Sequence, residues 1–182
     1  MATTIRSTAL DFNNIKEKVK NTTNPFVNDK KNIIAVGSLE EVKGYDLLIK
    51  AIEKTNNDEF KLSIIGEGSK KSILENLIKE YKLEDKIELL GFKENPYIYM
   101  NHADLGILSS RFEGFPNTVL ELLACKTPVV AFKCPGGVEE IIIDDQNGWF
   151  VEAENIEKMA QTIEKALSKK PDEESIYTSV YD

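Results

Sequence analysis

From Lys31 onward the apolar positions alternate between two periods. Short runs of aliphatic residues end in glycine or serine, and each is followed by a stretch in which apolar residues recur every three or four positions. "NIIAVGS" (32–38) reads as a strand and turn, and "YDLLIKAIEK" (45–54) as a helix with Leu47, Leu48, Ala51 and Ile52 inward. The pair then repeats. "FKLSIIGEG" (60–68) is a second strand and turn, and "SKKSILENLIKEYK" (69–82) a second helix with Ile73, Leu74, Leu77, Ile78 and Tyr81 on one face. Further on, "KIELLGF", "DLGILSS", "PVVAF" and "NGWFVE" read as strands. Between them lie a short helix at "NPYIYMNHA", a proline-opened helix at "PNTVLELLACK" and a turn and helix at "GGVEEIII". "NIEKMAQTIEKALSKK" closes the series as an amphipathic helix with Ile156, Met159, Ala160, Ile163 and Leu167 inward.

Strands of four to seven residues alternating with helices imply right-handed β-α-β units and a parallel sheet covered on both faces. The expected fold is therefore α/β, a doubly wound, Rossmann-like parallel sheet of about six strands with helices on both faces. The core domain is expected over 31–170. Residues 1–30 read as a leading linker that does not begin the core, with one short helix at "NNIKEKVK", and 171–182 as a frayed tail.

Composition narrows the classes. With 41% hydrophobic and 30% charged residues the chain is of the soluble globular type, and no apolar run approaches the roughly 20 residues needed to cross a bilayer. The start "MATTIRSTALDFNN" lacks the basic-then-apolar order of a secretory signal, so a cytoplasmic location is expected, with Cys125 and Cys134 as free thiols. A net charge of −8 with scattered lysines argues against a nucleic-acid partner. One phosphate pair held by a few local donors is compatible with that balance.

In an open parallel sheet, ligands bind beyond the C-terminal ends of the strands. The loops at issue are 37–44, 66–68, 91–93, 109–117 and 133–137, and each contains glycine, which any tight β-α turn also favours. The segment "RFEGFPNTVLELLACKTPVVAF" (111–132) is more selective. Pro116 fixes the first helical turn and is expected to leave the amides of Asn117, Thr118 and Val119 as an anion site. Glu121 follows Asn117 by four residues, one helical turn along the same face, where its carboxylate suits a vicinal diol such as ribose. Glu113 precedes the turn; on spacing alone it is equally a loop carboxylate in water.

Other chemistries fit less well. "GEGSKK" lacks the third glycine of a dinucleotide fingerprint, and there is no Gly-x-x-x-x-Gly-Lys-Ser/Thr run for a nucleoside triphosphatase. No metal and no cofactor is expected: the one histidine, His102, falls at the wrong end of its strand, and the cysteines lack ligand spacing.

The motifs "EGFPNTVLE" and "LLACKTPVVAFKCPGGVEEIIIDDQNGWFV" resemble the C-terminal domain of retaining glycosyltransferases of family 4, which have the GT-B fold. The match extends back through "GSLEEVKGYDLLIKAI", "KLSIIGEGSKK", "IELLGF" and "NHADLGILSSRFEGFP", over roughly 32–168. The resemblance implies a nucleotide-diphosphate sugar donor, UDP- or GDP-linked, and retaining transfer to a glycan or lipid-linked acceptor. It implies that this chain is one half of a GT-B enzyme, inactive alone, with the acceptor side in a missing N-terminal domain, and that the full-length enzyme works at the inner membrane face. Residue by residue, Glu113 would meet donor-sugar hydroxyls, with the backbone of Gly114 and Phe115 holding that sugar. Lys43 would balance the phosphates, Asn117 and Thr118 would meet the diphosphate, and Glu121 the ribose. Gly66, Glu67, Gly68, Phe92 and Lys93 would line the nucleobase end. One position departs from the family: Ser38 stands where an arginine usually follows the first strand's glycine, leaving half of the phosphate clamp missing. Arg111 then reads either as a substitute cation or as a solvated loop arginine. A catalytically silent nucleotide-sugar binding module is the alternative that Ser38 favours.

Overall fold

The computed structural model describes residues 10–169 and 171–181. Six strands form one sheet: β1 (Lys31–Val36), β2 (Phe60–Ile65), β3 (Ile87–Gly91), β4 (Leu105–Leu108), β5 (Val129–Phe132) and β6 (Gly148–Val151). Their order is β3-β2-β1-β4-β5-β6, and every pairing is parallel. This is the doubly wound arrangement expected from the alternation. The chain winds outward from β1 to β3, returns to lay β4 beside β1, and winds outward the other way, so β1 and β4 flank the switch point.

Helices cover both faces because strands buried on two sides have no polar face to show water. On one side α2 (Tyr45–Glu53), α3 (Lys71–Glu80) and α7 (Ile156–Ser168) pack on Ile33, Leu62, Ile64, Ile107 and Val130. On the other, α4 (Tyr97–His102), α5 (Asn117–Ala124) and α6 (Val138–Ile141) pack on Ile34, Ile65, Leu108, Val129 and Ala131. Ile73 departs from its expected place: it is 56% exposed at the start of α3, while Leu74 and Ile78 carry that helix's burial.

The two ends of the chain differ from expectation. Within 10–30, α1 (Phe12–Val19) is capped by Asp11, whose side chain accepts from Asn13 and Asn14, and it buries Ile15 in the second core. At the other end, 171–181 contains α8 (Glu173–Tyr181), which puts Ile176 fully inside that core and joins Ser179 Oγ to Asn147 Nδ2 at 3.0 Å. The helix at "NNIKEKVK" follows the expectation, but its docking and the whole of α8 do not, because one buried isoleucine in a polar segment is a short signal. The remaining residues of both terminal segments, 1–9 and 182, lie outside the described residues. No helix among the described residues is long and apolar enough to cross a membrane.

Candidate functional site

The crevice between β1 and β4 is bounded by 37–44 and 109–117. The first segment ends in a single 3-10 turn, Glu41–Lys43, closed by Gly44 in the left-handed conformation (φ 63°). A Cβ on Gly44 would collide with the Ser109 carbonyl, so the segments meet backbone to backbone. Residues 109–111 then hold three successive carbonyls of the turn. Arg111 Nη1 donates to Glu41 O, Arg111 N to Val42 O and Ser109 Oγ to Lys43 O, each at 2.8 Å.

So fixed, the turn aims Lys43 across the crevice. Its Nζ donates to Glu113 Oε1 at 2.8 Å, and the same oxygen accepts from Ser110 Oγ at 2.5 Å. Glu113 is only 7% exposed, and its amide donates to Pro135 O at 3.0 Å. Gly136 (φ 123°) lies so close to the Glu113 carbonyl that a Cβ there would collide with it. Two loops thus hold this carboxylate and a third holds its backbone, and among the described residues no hydrogen bond reaches its Oε2. Tyr45, which the sequence pattern placed merely on a core helix, is buried over Gly37 beside this pair. Burial, and then the Glu113 charge, push its phenol well above the ordinary value. The same two causes raise the Cys134 thiol, which makes it a poor nucleophile.

Arg111 is not a spare cation. Nη1 and Nη2 grip Asp46 at 2.8 Å each, and Nε lies 3.6 Å from Glu154. Although burial opposes it, the guanidinium holds Asp46 below the usual carboxylate range. The substitute-cation reading of Arg111 therefore gives way to a brace for the Lys43 turn. Ser38 is exposed, and its carbonyl accepts from Glu40 N at 2.8 Å.

At the mouth of α5 the expected anion site is rearranged. Asn117 N already donates to Phe115 O at 2.9 Å, and Val119 N to Pro116 O at 3.0 Å, so two of the three expected amides are taken. Pro116 causes this: with ψ 62° it stands outside the helix as its N-cap and folds the entry into a tight turn. Among the described residues no acceptor meets the amides of Gly114, Phe115 and Thr118, which moves the free donors toward the glycine.

Glu121 lies half-buried on the second turn of α5 and accepts from Tyr97 Oη at 3.1 Å. Burial raises its pKa, opposed by the Tyr97 hydrogen bond and the Lys18 charge. At the nucleobase end, Phe92 is 71% exposed and the Lys93 ammonium sits 5.9 Å from the centre of the Tyr99 ring. Glu67 is exposed, and its carbonyl accepts from Leu39 N. Gly66 and Gly68 press on the carbonyls of Gly37 and Leu39, so their missing side chains serve loop packing first. His102 lies 3.4 Å from Thr22 Oγ1, away from the crevice.

The site thus gathers Lys43, Glu113, Ser110 and Tyr45 on one side of the α5 entry and Glu121 with Tyr97 on the other. Ser110 and Tyr97 were invisible to spacing, since each acts on a partner through tertiary packing. Residues 16–181 match the family model described as "Glycosyl transferases group 1". A relative in Campylobacter jejuni, N-acetylgalactosamine-N,N'-diacetylbacillosaminyl-diphospho-undecaprenol 4-alpha-N-acetylgalactosaminyltransferase, is 40% identical over 159 residues, which are 87% of this chain and 42% of the relative. The chain thus spans less than half the length of that relative. Among solved structures, the C-terminal domain of the group 1 glycosyl transferase protein LpcC from Francisella tularensis is similar with a TM-score of 0.69 and 28% identity, covering 82% of this chain and 80% of that one. Staphylococcus aureus TarM, in a complex that includes UDP, gives a TM-score of 0.75 at 26% identity, covering 90% of this chain and 33% of that one.

Proposed function

The chain belongs to the group 1 glycosyl transferases, and from that premise we infer that it binds a nucleotide-diphosphate sugar as the donor half of a retaining, family 4 hexosyltransferase. The observation that carries this reading is the Lys43–Glu113 pair, set at the β1/β4 switch point beside the free amides of the α5 entry. A cation and unpaired N–H groups there suit a diphosphate, and a buried carboxylate with an open oxygen suits sugar hydroxyls. The donor is UDP- or GDP-linked, and the acceptor, a glycan or lipid-linked precursor, is met through an N-terminal domain. A lipid-linked acceptor places the full-length enzyme at the inner membrane face.

In the reaction the bond from the anomeric carbon to the diphosphate breaks, and negative charge grows on the departing oxygens. Lys43 Nζ swings from Glu113 to that charge, and the Gly114, Phe115 and Thr118 amides add fixed donors. Glu113, released from the lysine and still held by Ser110, accepts from sugar hydroxyls and fixes the ring for attack by the acceptor hydroxyl on the face from which the diphosphate leaves, the departing phosphate oxygen taking the acceptor's proton. Glu121 anchors the ribose. No protein nucleophile is required. Ser38 in the arginine position favours one other reading, a module that binds nucleotide sugar without turnover.

Calorimetry and thermal shift of this chain with UDP, GDP, ADP and their sugar conjugates test the binding step. One nucleotide is expected to stabilise the wild type and to lose that effect in Lys43→Ala. Failure of all of them at millimolar concentration overturns donor binding by this half. Consumption of donor by the full-length protein with acceptor separates the enzyme from the silent module.

A further inference from the structure

We propose that Tyr97 is a positioning residue that confers preference for ribose, by occupying one oxygen of Glu121 so that the remaining lone pairs face a vicinal diol. The proposal rests on the reading of Glu121 as the ribose ligand and adds the residue that orients it.

The geometry comes from three elements. Tyr97 opens α4, directly after the β3 loop, and its Oη donates to Glu121 Oε1 at 3.1 Å, across 24 residues of sequence. Its backbone is held on the same helix face as the carboxylate, because Cys125 Sγ lies 3.9 Å from Tyr97 O. Its ring is covered by α1, whose Lys18 ammonium sits 5.3 Å from the ring centre. Lys18 O in turn accepts from Asn95 Nδ2 at 3.1 Å, two residues before Tyr97. The phenol is therefore fixed at its ring, its backbone and its hydroxyl.

A glutamate on a helix surface samples several rotamers, and fixing one costs entropy at the moment of binding. Tyr97 removes that cost in advance. An ionised carboxylate accepts about four hydrogen bonds. One is used by the phenol, and those left on Oε2 and on the free side of Oε1 suit the 2′- and 3′-hydroxyls. The phenol also favours the ionised state: Tyr97 on α4 and Lys18 on α1 both lower the Glu121 pKa against burial, and Cys125, the residue that caps the end of α5, has its own thiol pushed up to about 12 by burial and by the Glu121 charge. A neutral Glu121 would keep one oxygen as a donor and meet the diol with a mismatched pattern.

The test compares UDP with 2′,3′-dideoxy-UDP by calorimetry on the wild-type chain, Tyr97→Phe and Glu121→Gln. Tyr97→Phe is expected to weaken UDP about tenfold, the order of one hydrogen bond to a charged acceptor, and to leave the dideoxy analogue unchanged. Equal weakening of both ligands, or of neither, overturns the proposal. A ligand-free arm titrates the glutamate carboxyl carbons by NMR. The Glu121 midpoint is expected to rise in Tyr97→Phe, and an unchanged midpoint means that Tyr97 does not act on Glu121. If the wild type binds UDP and its dideoxy analogue alike, Glu121 is not the diol ligand. The ribose reading then falls, and the carboxyl titration still judges the Tyr97–Glu121 link on its own.

Discussion

Lys43 and Glu113 lie 70 residues apart in sequence and 2.8 Å apart in space, joined across the crevice between the two central strands. Their side chains are 21% and 8% exposed, so the pair is largely removed from water. Removing one partner leaves the other charge poorly solvated, whereas removing both does not. Lys43→Met alone is expected to cost roughly 1–3 kcal/mol of stability, and the double variant with Glu113→Gln to regain part of it. Urea denaturation of the four species closes the cycle; additive losses would show that the pair is not coupled.

Transfer separates the roles within that pair. In the full-length enzyme Glu113→Gln is expected to lower transfer at least 100-fold, a loss of about 3 kcal/mol of positioning, while nucleotide affinity changes little. Near-normal turnover would refute the placement of sugar hydroxyls on Glu113.

Arg111 makes a different prediction, because it acts on the backbone of the Lys43 turn. Arg111→Lys keeps the charge and loses the two-pronged grip on Asp46, a cost of about 1–2 kcal/mol. The amides of 42–44 are expected to exchange faster with solvent, and the affinity gained from UMP to UDP to shrink. If exchange in that turn is unchanged, the brace carries no load.

Glu121 carries a cost in the ligand-free fold. Its folded pKa is raised above the ordinary value of 4.5, chiefly by burial. The stability linked to its protonated form is therefore fully present below pH 4.5 and is lost as pH rises through the raised folded value. Glu121→Gln is expected to raise the melting temperature at pH 7, to leave it unchanged at pH 4, and to abolish the nucleotide-induced shift. A variant less stable at pH 7 would contradict the linkage.

The α8 segment yields a prediction about extent. Ile176 is fully buried, so Ile176→Ala is expected to cost about 2–4 kcal/mol, the range for large-to-small changes in a core. A change under 0.5 kcal/mol, the size of a surface substitution, would mean that the segment does not belong to the folded unit.

The sheet was legible because each strand is a nearly unbroken apolar run and each main helix carries a 3-4 stripe, and both signals are local. The parallel pairing followed from the right-handed crossover rule, whereas the reversal of winding between β1 and β4 depends on which edge β4 joins, and no local pattern states that. The helix at α1 was legible but its docking was not, and α8 was not legible at all, because each commits one fully buried isoleucine, Ile15 or Ile176, within a polar segment. At the site, Glu121 stood out against its apolar surroundings, whereas Lys43 and Glu113 were placed by the family resemblance alone. What their side chains touch was not legible, because Ser110, Tyr97 and Asp46 reach them only after distant elements pack. The amide pattern at the α5 entry differs from expectation for a narrower reason: the sequence reads Pro116 as opening the helix, and its backbone instead makes the turn before it.

The strand order has a consequence during synthesis. β1 acquires β2 on one edge, with β3 adding beyond β2, but the neighbour on its other edge, β4, is translated last of these four. At about 5–20 residues per second, the 70 residues from Lys43 to Glu113 take on the order of ten seconds to emerge. For that interval a nascent chain carries an apolar central strand with one row of backbone groups open, a template for mispairing with a neighbouring ribosome's product. Arrival of β4 covers that edge, and the same event brings Ser109 and Arg111 onto the Lys43 turn. The outer edge of β4 then waits for β5 and β6, and the 133–137 segment that holds Glu113 follows β5, so a nucleotide that binds the finished crevice reports a polypeptide whose central strand edges are already closed.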